Sequence, residues 1–439
     1  MTDPLNNSYY RATAHAWETQ PAFIGEGKYD IAVIGGGFTG LSAALACAEK
    51  GLKVALFEAK TIGYGASGRN GGQLIPGLRW SMREIDEEFG RERAQAIFDL
   101  AYGAVDRVKG RIAKHGIQCD LKAGHLEAAY KPAHFDAMQR DAEFLADEFG
   151  WESEMVSPKD MGQHINGGGY HGGIYDSQGG HFHPLNYALG LAGAAKRAGV
   201  TILENSRVMT VTKVTGNDDV ALGISQESCR SVESVVDVAS HFRVTAGHVI
   251  NASDAWMGEV DPDLGRYTIP IMNYNVATAP LSNWRDYLPS DAAVADSRFV
   301  LNYFRLSADK RLIFGGGEKY VQTPPADIAG FVRKHMVEAF PSLADTPIDY
   351  AWGGAVGVTM NRLPHIGRQG NIFFAHGFSG HGALVTTLAG ELLAEAVTGT
   401  MERFDVFAKL PHKPFPGGRM FARPLATLGL LWYALRDRL

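Results

Sequence analysis

Residues 30–58 read DIAVIGGGFTGLSAALACAEKGLKVALFE. The run 30–34 is short and β-branched, which predicts a buried strand. Three glycines follow, and the Ala- and Leu-rich run 41–50 predicts a helix that ends at Gly51. A second apolar run, 53–58, predicts another strand. The stretch therefore predicts one β-turn-α-β unit.

The turn of this unit holds Gly35, Gly37 and Gly40 in the spacing G-x-G-x-x-G. Gly35 permits a tight turn, Gly37 lets the backbone approach a pyrophosphate, and Gly40 lets the helix pack on the strand. Glu58 ends the next strand, where a carboxylate accepts hydrogen bonds from an adenosine ribose and repels a 2′-phosphate. The pattern predicts a dinucleotide site that disfavours NADP and leaves FAD and NAD open. A purely structural glycine turn is the alternative.

Two further glycine-rich segments favour a flavin. The segment 63–73 is too poor in side chains to form core, and its backbone N–H groups are suited to line a cofactor. The segment 376–382 lies between a predicted strand, 371–375, and a predicted helix, 382–397. A glycine turn at a helix N-terminus presents N–H groups and partial positive charge to the flavin pyrimidine, which becomes anionic on reduction. An ordinary strand-to-helix turn is the alternative here.

Composition narrows the class of protein. The 439 residues carry a formal charge of −6, so the electrostatic attraction on which nucleic-acid binders rely is absent. Hydrophobic residues make up 45% of the chain, which is enough for a large core. The cysteines Cys47, Cys119 and Cys229 are too sparse for a disulfide framework or a thiolate metal site, and they suit a reducing cytosol. We therefore expect no metal.

The chain ends give no sign of a membrane protein. The first residues lack a secretory signal, and no run of about 18 apolar residues predicts a transmembrane helix. The apolar stretch 425–435 is predicted to be a terminal helix docked on the protein, and a peripheral membrane contact is disfavoured. The expected location is cytoplasmic.

The predicted fold class is α/β, or α+β over the whole chain, with a discontinuous Rossmann-like FAD-binding domain. Helical patterns fill the part from 81 to 147, and alternating strands with Pro and Gly breaks fill 267–317, which favours an antiparallel sheet. Near the end of the chain, the predicted strand and helix repeat the strand-turn-helix pattern of residues 30–50. The predicted FAD-binding domain comprises 1–80, 160–262 and 355–439. The predicted substrate-binding domain, an antiparallel sheet with helices, comprises 81–159 and 263–354.

Blocks along nearly the whole chain resemble the FAD-dependent amine and amino-acid oxidases of the D-amino-acid oxidase superfamily, which includes sarcosine and glycine oxidases. These blocks are Ser8–Tyr10, Gly63–Gln73, Gly179–Asn186, Tyr303–Asp309, Gly315–Gly317, Gly377–Gly382 and Pro414–Arg419. Some relatives tether the flavin through a Cys before the terminal glycine turn, but 351–380 contains none. The resemblance thus implies noncovalent FAD. Leu384 stands where sarcosine oxidases carry a Lys for the substrate carboxylate, which argues against a small N-methyl amino acid.

The resemblance also implies which residues bind the cofactor. These residues form three groups. The first lies in the glycine turn and at Glu58, the second in the segment after Glu58, and the third in the terminal turn. Val208 is expected beside the adenine, and 252–256 where the chain returns to the cofactor. The full set is Gly35, Gly37, Phe38, Thr39, Gly40, Glu58, Ala59, Ala66, Ser67, Gly68, Asn70, Gly71, Gly72, Gln73, Val208, Ala252, Trp256, Gly380, His381 and Gly382.

The implied reaction is hydride transfer from the amine-bearing carbon to the flavin, followed by hydrolysis of the imine and reoxidation by oxygen. An apolar pocket favours the neutral amine by desolvation, and Trp352, Tyr303 and Phe304 are candidates for its walls.

Two further positions carry candidate polar groups. Arg305, if buried, is a candidate to pair with a substrate carboxylate; an exposed strand Arg is the alternative. His381 is a candidate to act on flavin protonation or oxygen attack, with a structural His as the alternative. His181 and His183 are placed on a loop of no assigned role.

The resemblance further implies γ-glutamylputrescine or a close N-acylated diamine as the substrate, giving an aldehyde, ammonia and hydrogen peroxide. Other secondary amines or amino acids, resembling glycine, sarcosine or iminodiacetate, stay open within the same chemistry. So does transfer of electrons to a quinone or carrier instead of oxygen. A flavin-binding scaffold without turnover is the alternative from another class. The oligomeric state is left open.

Overall fold

The computed structural model describes residues 7–213, 219–226, 242–319 and 323–417. Its strands are β1 (Glu26–Ile34), β2 (Val54–Phe57), β3 (Gln73–Leu74), β4 (Lys122–Ala128), β5 (Glu154–Val156), β6 (Gly173–His181), β7 (Thr201–Leu203), β8 (Ser206–Lys213), β9 (Val220–Gln226), β10 (Phe242–Asn251), β11 (Ile269–Thr278), β12 (Ala293–Asp296), β13 (Tyr303–Leu306), β14 (Leu312–Lys319), β15 (Ile348–Val358), β16 (His365–Gln369) and β17 (Ile372–His376).

The α-helices connect and cover these strands. They are α1 (Tyr9–Ala12), α2 (Phe38–Glu49), α3 (Met82–Phe89), α4 (Arg91–Ala101), α5 (Ala104–His115), α6 (Pro132–Phe149), α7 (Pro184–Arg197), α8 (Met257–Val260), α9 (Ile328–Ala339), α10 (Gly382–Val397) and α11 (Glu402–Ala408). Among the described residues, no helix combines the length and the apolar character that a membrane span requires.

The first sheet is the predicted Rossmann-like sheet. Its strand order is β16-β17-β10-β1-β2-β7, with β8 and β9 branching from β10. The pairs β17–β10, β10–β1, β1–β2 and β2–β7 are parallel. Helices α2 and α10 pack against each other beside this sheet, and α7 packs on α2, so the apolar faces of all three are buried in one core. The predicted mixed α/β fold with a Rossmann-like part is confirmed.

The second sheet carries nine strands in the order β15-β11-β14-β13-β12-β4-β6-β3, with β5 on β6. Its pairs are antiparallel except for β12 with β4. Helix α9 covers one face, where Phe304 and Phe314 stack inside an apolar core. The opposite face meets the segment 69–73. This agrees with the antiparallel sheet predicted for 267–317.

The structure differs from the sequence prediction around residue 180. The Gly- and His-rich part, expected to be a loop, is strand β6, and it belongs to the second sheet although 160–262 was assigned to the FAD-binding domain. Small residues allow this because added Cβ atoms at Gly173 and Gly180 would lie 2.4 and 2.1 Å from carbonyl oxygens of the neighbouring strand. The domain boundaries themselves stay a prediction. The predicted terminal helix, 425–435, lies outside the described residues.

An N-terminal strap, residues 7–24, runs across both sheets. At its start the Tyr9 hydroxyl donates to Asp309 (2.7 Å), and the Tyr10 ring packs edge-on against Trp352 of β15. Farther along, the N–H of Gln20 donates to the buried carboxylate of Glu204 (2.6 Å), beside the first sheet. The strap therefore contacts both sheets and fixes one against the other.

Candidate functional site: a glycine-lined cleft between the two sheets

The turn after β1 is closed by backbone contacts that only glycine permits. A Cβ at Gly40 would lie 2.0 Å from the carbonyl oxygen of Gly35, and one at Gly35 would lie 2.7 Å from that of Ala252. Gly35 also has a φ of +105°, which L side chains rarely adopt. The close approach at Gly40 is what lets α2 begin directly on the end of β1. The same roles, a tight turn at Gly35 and helix packing at Gly40, were predicted from the sequence.

Glu58 holds this turn from the end of β2. Its Oε2 accepts from the N–H of Gly36 (2.7 Å), and its Oε1 accepts from the N–H of Lys60 (2.8 Å). Burial raises the pKa of Glu58, and these two backbone hydrogen bonds counteract the rise. A carboxylate has about four acceptor positions, so both oxygens can accept further hydrogen bonds from a ribose.

The segment 63–73 folds over the start of α2. The Ser67 hydroxyl accepts from the N–H of Phe38 (2.9 Å), the first residue of that helix. The side chains of Asn70 and Gln73 hydrogen-bond within the protein. The Asn70 amide donates to the carbonyls of Ala66 and Ser67, and the Gln73 amide donates to the carbonyl of Val294. These hydrogen bonds hold the segment in place, and the contact of its backbone with the cofactor stays a prediction.

The terminal turn 377–382 connects β17 to the N-terminus of α10. Gly380 has a φ of +83° and open space where a Cβ would stand, and no side chain caps the helix. The carboxylate of the half-buried Asp254 accepts from the N–H of Gly377 (2.8 Å), and backbone N–H groups of Ala255, Gly357 and Phe378 also lower its pKa against the rise that burial causes. Asp254 thus fixes the turn that leads into α10.

The side chains of His381, just before α10, and His125, on β4, lie near each other. The Nε2 atoms of both are buried without a partner among the described residues. Burial lowers the pKa of His381 to about 4 and that of His125 to about 3, and the proximity of His381 contributes to the second shift. Both imidazoles are therefore neutral near pH 7.

These observations fit FAD. An unpartnered His381 Nε2, a helix start with free N–H groups and open space at Gly380 suit a ring that accepts hydrogen bonds. A glycine turn with the Glu58 carboxylate beside it suits a pyrophosphate and a ribose. We expect these two ends of the cleft to hold the two ends of the cofactor.

The second sheet supplies the floor of the cleft. Tyr303 is half-buried on β13, and its ring fills the space next to Gly71 and Gly315. Its hydroxyl donates to the side chain of Asn273 on β11. Tyr303 therefore stays a candidate for a wall of the substrate pocket.

Two other aromatic candidates are corrected. Trp352 has no exposed surface, and its indole N–H donates to the carbonyl of Arg69 (2.9 Å), so it supports the segment 63–73 from below. Phe304 points to the opposite face of the sheet, into the core under α9. Alternation along β13 explains the error, because neighbouring residues of a strand face opposite ways.

Arg305 is buried, so the alternative of an exposed strand Arg is wrong. Its guanidinium donates to the carbonyls of Gly71 (2.7 Å) and Phe182 (2.9 Å), and it also meets the Tyr10 hydroxyl. These hydrogen bonds tie β13 to the segment 63–73. The predicted pairing with a substrate carboxylate loses its support because the donors are already engaged.

The two histidines of the 179–186 block are structural in this fold. His181 ends β6, and its Nε2 meets the carbonyl of Asp291 (3.0 Å). His183 is the N-cap of α7 and accepts from the N–H of Asn186. No group of three or more metal-ligating side chains is found among the described residues.

Three remaining positions lie as follows. Val208 is buried on β8, next to the Ser206 N–H that donates to the Glu58 carbonyl. Ala252 contacts Gly35, as described above, whereas Trp256 is 41% exposed at the edge of α8. The sequence argument missed the two structural acids, Asp254 and Glu204, because an isolated acidic residue gives no local signal of burial.

The fold and this cleft define the class of protein. The sequence matches the family of FAD dependent oxidoreductases known as DAO over residues 30–396, so the chain belongs to that family and is an FAD-dependent oxidoreductase. The predicted membership is thereby confirmed. The chain is 35% identical to the gamma-glutamylputrescine oxidoreductase of Escherichia coli K12, over 99% of this chain and 98% of that protein.

Two further comparisons agree with this assignment. The chain is 35% identical to a protein of Rhizobium meliloti named Probable oxidoreductase OrdL, over 98% of this chain and 97% of that one. The crystal structure of glycine oxidase from Geobacillus kaustophilus shares the fold, with a TM-score of 0.68 and 20% identity over 85% of this chain and 95% of that chain.

A histidine cluster beside the terminal turn predicts acid sensitivity. His376 Nε2 meets His365 Nδ1 (3.0 Å), and the His365 ring stacks on His412. Burial lowers the pKa of His365 to about 2, that of His376 to about 3 and that of His412 to about 4, and neighbouring imidazoles add to the first two shifts. The unfolded chain takes up protons below about pH 6.5, before the folded protein does. Stability is therefore full above that pH and is lost as the pH falls.

We expect His365→Phe to reduce this loss by about 1.4 kcal/mol per pH unit between pH 6.5 and 4. Urea unfolding at several pH values measures the slope. The matched control is His171→Phe, at an exposed position, which should leave the slope of the parent protein unchanged. Equal slopes for the parent protein and His365→Phe would contradict the prediction.

Proposed function

We propose that the protein oxidises the amine carbon of γ-glutamylputrescine, or a close N-acylated diamine, with noncovalently bound FAD and oxygen as the electron acceptor. The products would be the aldehyde, ammonia and hydrogen peroxide. The observation that carries the proposal is 35% identity over nearly both full lengths to a protein named for this substrate. The place of action that we propose is the cytoplasm, in the breakdown of polyamines.

The proposed residues have distinct tasks. The glycine turn at 35–40 and Glu58 would bind the adenosine end of FAD, and the terminal turn at 380–382 would bind its ring. Bound FAD would accept a hydride from the carbon that bears the amine. The absence of a Cys from 351–380 supports a noncovalent cofactor, because the tether of some relatives needs that thiol.

The cleft also favours the reactive form of the substrate. Hydride removal needs a neutral amine, whereas a free alkylamine has a pKa of about 10 in water. Enclosure between Tyr303 and the glycine segment removes water and favours the uncharged form. The neutral imidazoles of His125 and His381 add no positive charge. Their Nε2 atoms, which have no partner among the described residues, can accept a hydrogen bond from an N–H group of the substrate.

One anaerobic titration tests the proposal. The purified flavoprotein is followed by its visible absorbance while γ-glutamylputrescine, putrescine, sarcosine, iminodiacetate and glycine are added to separate samples, and air is then admitted. We expect γ-glutamylputrescine to bleach the flavin, and oxygen to restore the colour with release of hydrogen peroxide. Bleaching by another amine alone would contradict the substrate, and recovery only with a quinone or dye would contradict the acceptor. Colour that survives denaturation attached to the chain would contradict the noncovalent cofactor.

A further inference from the structure

Two side chains of opposite charge near the terminal turn have no hydrogen-bonded partner among the described residues. Glu127 lies on β4, and Arg79 lies between β3 and α3. Within the part of the chain that the structure describes, neither side chain makes a hydrogen bond or a close ion pair, and Arg79 acts on Glu127 only as a more distant charge. By contrast, the charged groups of Arg305 and Asp254 are hydrogen-bonded to backbone groups. Unpaired charges in a cleft are available to a ligand.

The strand register places Glu127 on the floor of the cleft. Glu127 pairs with Ala295 of β12, and Ala295 pairs with Tyr303 of β13, so all three side chains share one face of the sheet. Two strand spacings separate Glu127 from Tyr303, about 10 Å. The residue between them is alanine, so no large side chain separates the tyrosine from the carboxylate along this row.

The Glu127 carboxylate is both accessible and enclosed. Its side chain is exposed to solvent, yet surrounding protein raises the pKa of Glu127, and Arg79 lowers it again. The same carboxylate helps to raise the pKa of Tyr102, whose ring packs against Gly77 on the other wall. A ligand can therefore reach this carboxylate in the recess that Glu127, Arg79 and Tyr102 border.

Arg79 stands over this recess on a fixed segment. Upstream, Pro76 and His125 both lie beside Gly179, where an added Cβ would be 3.3 Å from Pro76 Cδ and 2.8 Å from His125 Cβ. Downstream, the Trp80 indole N–H donates to the carbonyl of Asn361 (2.8 Å). The guanidinium lowers the pKa of both His381 and Glu127, so it lies in the neighbourhood of both. The position of Arg79 is thus set by anchors on both sides.

A third group points to the same recess. His125 lies two residues before Glu127 on the same face of β4, is 4% exposed, and has an Nε2 atom without a partner. A buried imidazole nitrogen without a partner costs stability unless a ligand or water supplies one. The recess thus offers an anion-binding group, a cation-binding group and a neutral polar group.

We propose that Arg79 and Glu127 form the subsite for the amino-acid end of the substrate, with Arg79 binding an α-carboxylate and Glu127 binding the α-ammonium group beside it. This inference rests on the function proposed above, because a γ-glutamyl group ends in such a zwitterion. The row of Glu127, Ala295 and Tyr303 then gives the direction in which the diamine chain would extend from this subsite. An uncharged or singly charged acyl group would leave one of the two charges unpaired in the recess, and would bind more weakly.

Substrate analogues paired with variants test the assignment. Glutarylputrescine lacks the α-ammonium group, and 4-aminobutanoylputrescine lacks the α-carboxylate. We expect Arg79→Gln to raise the KM for γ-glutamylputrescine at least tenfold with kcat within threefold, and to leave the KM for 4-aminobutanoylputrescine unchanged. We expect Glu127→Gln to do the same for γ-glutamylputrescine and to leave the KM for glutarylputrescine unchanged. Arg140→Gln and Glu152→Gln, at exposed positions, are the matched controls.

The outcomes separate the two proposals. Equal losses on all three acylated substrates and on putrescine would mean that the residues act on folding or on the reacting amine, and would overturn the subsite. Unchanged KM values in a parent enzyme that oxidises γ-glutamylputrescine would also overturn it while the proposed function stands. A parent enzyme that oxidises none of the acylated diamines would overturn both. FAD content and Tm of each variant, equal to the parent, are the check that the comparison concerns binding.

Discussion

Gly40→Val is expected to produce a protein that no longer retains FAD. The added Cβ would stand 2.0 Å from the Gly35 carbonyl oxygen and 3.1 Å from its carbon. Both are backbone atoms, so relief requires the turn to open and α2 to move away from β1. We expect the Kd for FAD to rise by roughly 100-fold, or about 3 kcal/mol. Activity without added FAD should be lost.

The measurement is the ratio of flavin to protein absorbance after gel filtration, with Kd from titration of the apoprotein. Gly110→Ala is the matched control, because Gly110 lies exposed inside α5 with open space around its added Cβ. That control should bind FAD normally and gain about 0.5–1 kcal/mol of stability. Normal FAD retention by Gly40→Val would show that the turn is more tolerant than its contacts indicate.

Asp254→Ala should have the second largest effect. The carboxylate accepts from up to four backbone N–H groups around the terminal turn, among them Gly377 at 2.8 Å. Its removal leaves these donors without an acceptor, each at a cost of about 1–3 kcal/mol less whatever water can recover. We expect the free energy of unfolding to fall by about 3 kcal/mol or more, and flavin reduction by the substrate to slow by roughly 100-fold because the turn loses its shape.

Urea unfolding and anaerobic stopped-flow absorbance measure the two effects. Asp254→Asn keeps the shape but offers one acceptor oxygen and places an amide N–H₂ against backbone donors, so an intermediate result is expected. Asp263→Ala, at an exposed position nearby, should match the parent protein. An Asp254→Ala protein with parental stability would mean that other contacts hold the turn.

The nucleotide-binding part of the fold was predictable from sequence because its signals are local. In the stretch 30–58, apolar periodicity, three spaced glycines and a terminal acid coincide, and together they predict one β-turn-α-β unit. The helix predicted over 382–397 agrees with α10 at both ends, since a glycine turn precedes it and its apolar residues recur at helical spacing. The segment 63–73 was identified by what it lacks, which is side chains for a core.

The substrate side was less predictable because it depends on register. The sequence shows that 303–306 is a strand but not which face meets the cleft, and Phe304 and Trp352 were misplaced for this reason. Arg305 illustrates a second difficulty: its partners, Gly71 and Phe182, lie more than 100 residues away and are carbonyls that no sequence motif marks. Strand β6 was missed because glycines and histidines resemble a loop when the neighbouring strand is unknown.

The N-terminal strap has a consequence for how the chain is made. Three of its hydrogen-bond partners, His183, Glu204 and Asp309, lie 170 to 300 residues farther along. The strap leaves the ribosome before these partners and is therefore among the last segments to complete its contacts. Pairings over such sequence distances are slow to form because the loop between them must be closed first. During synthesis Tyr9, Tyr10 and Trp17 stay exposed until much of the chain has emerged, which makes this segment a natural binding target for chaperones.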